Sequence, residues 1–102
     1  MSEIHLKHGV NVTGLQPEMV LALMVVHSHY AKIKKACVIT SGLDGVHSEN
    51  SLHYVGRALD FRTRHIDTVG QRKALTKRIA KALGDEYDVI FEGDHIHVEH
   101  DP

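Results

Sequence analysis

Two segments set metal-ligating residues beside residues that free the backbone: Ser51-Leu-His53-Tyr-Val-Gly56-Arg-Ala58-Leu-Asp60-Phe61 and Asp94-His95-Ile-His97-Val-Glu99. Imidazole nitrogen and carboxylate oxygen both bind zinc at ~2.0–2.2 Å. His53 and Asp60 can face one ion only if the chain turns between them; Gly56 permits that turn, and Ala58 keeps the backbone clear beside the ion. Side chains alternate along a strand, so His95 and His97 share one side of any sheet they join. If their strand lies beside Ala58–Arg62, one of these histidines completes a His-Asp-His set. Three protein donors leave the fourth position of a tetrahedral zinc open, which is the pattern of catalytic sites. Such an ion lowers the pKa of its water toward ~7 and polarises a carbonyl. A neighbouring carboxylate must then take up a proton and return it to the leaving amine, and Asp94, just before the last strand, is placed for this.

The elements that must position these residues are legible in the pattern. Asn11 to Gln16 leads into a helix with Pro17 in its first turn, running from Glu18 to about Lys35. Its first half is apolar nearly all round, which predicts a buried central helix. Ala36–Thr40 reads as a strand ended by Ser41-Gly42, and Leu43–Asn50 as a polar loop. Ala58–Arg62 alternates as a second strand. Asp67–Leu83 reads as a second helix with Val69, Leu75, Ile79, Ala82 and Leu83 on one face and Gly84 as its C-cap. Tyr87–Phe91 and His95–Glu99 form a hairpin across Glu92-Gly93-Asp94. The predicted fold class is α+β: a small, mainly antiparallel sheet of about four strands with two main helices packed on it. Residues 1–102 are expected to form a single domain.

Composition narrows the function classes. The 102 residues carry 12 basic and 13 acidic side chains, a formal net charge of -1, so no electrostatic reason favours nucleic acid or an anionic membrane as partner. The longest apolar run, Met19–Val26, is far short of a membrane span. One cysteine, Cys37 in Ala-Cys-Val-Ile, excludes an internal disulfide and a cysteine-rich zinc cluster, and reads as a core residue. The first residues, MSEIHLKHGV, hold no apolar leader, so cytoplasmic synthesis without a signal peptide is expected. A monomer is expected. Ten histidines make a chance His-x-His pair unsurprising, and there are two. His27 and His29 sit about 200° apart on a helix and cannot chelate one ion together, so they read as structural. The basic face of the second helix, Arg72 to Lys81, reads as solvated.

Taken together, Ser-x-His-x-x-Gly-x-Ala-x-Asp followed by Asp-His-x-His resembles the zinc D-Ala-D-Ala carboxypeptidases and the L-alanyl-D-glutamate endopeptidases of phage endolysins, which share a hedgehog-like fold. The likeness covers about residues 38 to 100. It implies Zn2+ held by His53, Asp60 and His97, with Asp94 as general base and acid. It further implies that His95 steadies the tetrahedral intermediate and that Ser51 lies near substrate. The implied activity is zinc-dependent hydrolysis of a peptide bond in bacterial peptidoglycan, exerted on the cell wall after release if the protein is phage-encoded. One departure stands out. Relatives often carry an aromatic-Arg pair after Thr-Ser-Gly, where this chain has Leu43-Asp44 after Thr40-Ser41-Gly42. Either another cation, such as Arg57, Arg62 or His47, binds substrate in its stead, or the activity is weaker or different.

Plainer readings stand beside these. Asp94 suits a hairpin turn, His95 a packing role, and Ser51 the cap of a short helix. His47, Glu99 and His100 flank the expected site as ordinary exposed residues. A non-catalytic metal-binding module of the same fold, or a phage structural component with a vestigial site, are the competing function classes.

Overall fold

A computed structural model describes residues 3–42 and 56–102. The elements run β1 (Ile4–Leu6), α1 (Pro17–Lys32), β2 (Cys37–Ser41), β3 (Ala58–Arg62), α2 (Val69–Leu83), β4 (Tyr87–Phe91) and β5 (His95–His100). Helix α2 starts where its side chains can replace missing backbone bonds. The Thr68 hydroxyl accepts from Gln71 N–H and Gln71 Oε1 accepts from Thr68 N–H, each at 3.1 Å, a reciprocal cap that sets the start two residues later than expected. Gly84, at φ 84°, closes the helix as its C-cap. Leu75, Thr76 and Ile79 form the buried face, whereas Val69 and Ala82, expected on it, are exposed.

Helix α1 ends at Lys32, not Lys35, because Ile33 caps it and Lys34 turns to φ 58°. Met19, Ala22, Val26 and Tyr30, spaced three or four apart, bury one stripe. The expectation of an all-round buried helix is corrected: Val20, Leu21 and Met24 are 44%, 62% and 63% exposed. The helix lies on one face of a single sheet, and no described element covers its outer side.

That sheet has five strands in the order β1-β2-β3-β5-β4. Strand β1, unanticipated, pairs parallel with β2 through Ile4–Cys37, His5–Val38 and Leu6–Ile39, while the other pairs are antiparallel. The architecture is thus the α+β arrangement of two helices on a small sheet, with a mixed sheet of one strand more. Cys37, Ile39, Leu59, Phe61, Ile96 and Val98 meet the buried stripes of both helices in one core. Cys37 is fully buried, and burial pushes its thiol up to about 12, which leaves it protonated and inert. Tyr30, also fully buried, donates its hydroxyl to Arg62 O at 2.7 Å and so ties α1 to the end of β3.

Gly56 fits the turn into β3 for two reasons. Its φ is +74°, and a Cβ there would stand 2.5 Å from the Gly14 carbonyl oxygen, while its own carbonyl accepts from Gln16 N–H at 2.9 Å. Gly56→Ala is therefore expected to cost about 2–4 kcal/mol, the left-handed penalty plus overpacking against backbone that cannot swing away. Thermal or urea unfolding measures it; an unchanged midpoint would contradict this packing.

Candidate metal and catalytic site

Because Leu59, Phe61, Ile96 and Val98 face the core, alternation turns Asp60, Arg62, His95, His97 and Glu99 to the helix-free face of the sheet. Strands β3 and β5 pair so that Asp60 stands directly opposite His97. The His97 ring donates from Nδ1 to Asp60 Oδ1 at 2.8 Å and from Nε2 to Glu99 Oε1 at 2.9 Å. The Asp60 bond, reinforced by Glu99 and opposed by desolvation, raises the His97 pKa from 6.5 to about 9. The ring is consequently an imidazolium at neutral pH.

The donor types of this pair, imidazole nitrogen and carboxylate oxygen, are ones that zinc takes. Ligand bonds of ~2.0–2.2 Å at tetrahedral angles set two donors about 3.3–3.6 Å apart, so Nδ1 and Oδ1, 2.8 Å apart here, would have to part by about half an ångström or more to admit an ion. An ion would take the place of the proton they now share. The third expected donor, His53, lies outside the described residues, as do Ser51 and His47. Of the expected ligand set, the fold thus brings together the two that are described.

The expected acid–base pair sits at the end of β5 that follows the hairpin turn. His95 Nδ1–H donates to Asp94 Oδ1 at 2.7 Å, and its Nε2 lies 3.7 Å from Glu92 Oε1. The bond from His95 lowers the Asp94 pKa, so the exposed carboxylate is ionised and able to accept a proton. Thr63, fully buried just past β3, holds this turn: its N–H donates to Asp94 O and its hydroxyl to Gly93 O, both at 2.8 Å. Nothing in the local sequence marks Thr63, since its partners are thirty residues away. Thr63→Val keeps the shape and removes the hydroxyl. It is expected to cost about 1–3 kcal/mol and to speed amide exchange in the Glu92–His95 turn, read by hydrogen–deuterium exchange.

Asp60, Asp94 and His95 line one cleft of about 290 Å3, with Thr40, Ser41 and the cations Lys7, Arg62 and Arg64. That volume is at the lower end of ligand-site sizes. Of the cations expected to serve substrate, Arg62 is there. Arg57 is exposed at the start of β3 and is not among the lining residues. Lys7 comes just past the unanticipated strand β1, and Arg64 follows β3, where neither residue type nor local pattern signals a site.

Two residues expected to be ordinary surface are not. Glu99 is only 20% exposed at its side chain and holds His97, and His100, 12% exposed, packs on the Tyr87 ring with centroids 4.9 Å apart. His27 and His29 lie on α1, across the sheet from the cleft. On α2, Lys73, Lys77, Arg78 and Lys81 are exposed, but Arg72 is built in, donating from Nε to Ile66 O and from Nη2 to Arg64 O. No helix among the described residues is long and apolar enough to cross a membrane.

A search of the curated proteins returns no match. A family model does match: that of the Hedgehog amino-terminal signalling domain, over residues 15–99. The match takes in both helices, strands β2 to β4, β5 except its last residue, and both site segments from Ser51 to Glu99. With the helices, sheet and match in agreement, the chain belongs to the family of the Hedgehog amino-terminal signalling domain.

Proposed function

We propose that this protein is a zinc-dependent peptidase that hydrolyses a peptide bond of bacterial peptidoglycan, as a carboxypeptidase or an endolysin-type endopeptidase. The observation that carries the reading is a cleft on the open sheet face, where the metal-donor candidate Asp60 shares its walls with the Asp94–His95 pair. His53, Asp60 and His97 would hold zinc, which when bound polarises a carbonyl and makes water a nucleophile near neutral pH.

The chain's own residues do the rest. Asp94, ionised and tethered by Thr63, takes up a proton and delivers it to the leaving amine. A substrate seated in the cleft strips water from the Asp94 carboxylate and so strengthens it as a base. His95, when protonated, brings positive charge to the oxygen on which negative charge develops. Lys7, Arg62 and Arg64 supply the cationic character that Leu43-Asp44 does not, and favour a peptide with a carboxylate near the scissile bond.

Peptidoglycan incubated with the purified protein, with and without a chelator, and resolved by liquid chromatography–mass spectrometry tests this directly. New chelator-sensitive termini are expected, and they name the bond. Zinc retained with no fragment from any wall chemotype would sink the reading. The family match to a signalling domain favours that second possibility, a non-catalytic metal-binding module of the same fold.

A further inference from the structure

Strand β5 carries His97 and Glu99 two residues apart on the open face, and the ring of His97 is engaged at both nitrogens. Asp60 takes Nδ1 and Glu99 takes Nε2, with the three side chains 16% (Asp60), 16% (His97) and 20% (Glu99) exposed. An imidazole that binds a metal gives up one N–H, and the partner on the other nitrogen decides which one. Asp60 belongs to the candidate donor set, whereas Glu99 is on the opposite nitrogen. Asp88, across from Glu99 in the β4–β5 register, and Asp101 are acidic too, with ligand atoms within 4.8 Å of one another. Among the described residues no lysine or arginine pairs with Glu99, so the His97 ring is the donor that holds its carboxylate.

Resting on the reading of Asp60 and His97 as zinc donors, we propose that Glu99 is the positioning residue of the metal centre. Its carboxylate retains the Nε2 proton of His97 and holds the ring level with Asp60, so that Nδ1 presents its lone pair to the ion. The sheet makes this arrangement rigid: Glu99 pairs with Ala58 on one side and Asp88 on the other. Glu99 therefore sets how tightly zinc is held without touching it.

The test is zinc affinity of the full chain, by competition with a chromophoric chelator, in the wild type, Glu99→Ala, Glu99→Gln and His97→Gln. The imidazole ¹⁵N spectrum of the zinc-loaded protein is recorded alongside. Glu99→Ala is expected to bind zinc about 10–100-fold more weakly. Glu99→Gln, which keeps an acceptor, should recover most of the loss, and His97 should show the Nε2-protonated signature in both it and the wild type. Equal affinity in the wild type and Glu99→Ala, or no recovery with Gln, overturns the role of Glu99 and leaves the metal reading standing. A wild type that binds no zinc, or His97→Gln binding it as tightly, overturns the metal reading and this proposal with it. Melting of the metal-free variants confirms folding, and the isosteric Gln variant keeps the test decisive if Glu99→Ala does not fold.

Discussion

Asp94→Asn should lower kcat on a cleavable muropeptide by about 10²–10⁴-fold and leave zinc affinity within a factor of two or so. The split follows from where Asp94 stands. It lines the cleft and bonds His95, whereas the Asp60 and His97 side chains bond each other. Asparagine keeps an acceptor for His95 Nδ1–H, so the turn held by Thr63 should survive while the proton shuttle is lost. Single-turnover kinetics and a zinc titration on the same sample read the two halves separately. Loss of zinc from the variant would place Asp94 among the metal's supports; unchanged kcat would remove it from the chemistry.

His97→Gln should abolish high-affinity zinc binding and hydrolysis together, and should also change how the metal-free protein responds to pH. In the wild type the Asp60 and Glu99 bonds raise the His97 pKa from 6.5 to about 9. A group whose pKa is raised by folding binds its proton more tightly in the folded state. Its stabilisation is complete below pH 6.5 and fades as pH climbs through about 9. Metal-free wild type should accordingly melt at progressively lower temperature between those values, and His97→Gln should lose most of that slope. Zinc has to displace the same proton, so affinity in the wild type should rise with pH across the same window. Melting curves in chelator from pH 6 to 10 settle the first point. A wild-type slope that persists in His97→Gln would assign it to another group.

How far the sequence reaches differs from residue to residue. Strands β3 and β4 fall on their expected boundaries, and β5 runs one residue further, because alternation is a local signal that burial on one face enforces. The reciprocal Thr68–Gln71 cap explains why α2 starts at Val69, since those two side chains outcompete two more residues of helix. Strand β1 has no local signal, for the opposite reason. Its three residues are all exposed and it is held by backbone bonds to β2, so its side chains carry no periodic signature. The exposed face of α1 has no local signal either, because an apolar sequence cannot say how many layers will cover it.

The site divides along the same line. The residue types and spacing of Asp60, Asp94, His95 and His97 by themselves point to a metal-and-proton chemistry, because donor identity and strand alternation are properties of short segments. Only the tertiary structure decided that Asp60 faces His97 across β3 and β5, that Thr63 grips the turn of Asp94, and that Lys7 and Arg64 join the cleft. It also turned Glu99 from a flanking surface residue into the hydrogen-bond partner of His97. Each of these depends on strand order and register, which bring together residues far apart in the chain, and no local pattern of side chains encodes that pairing.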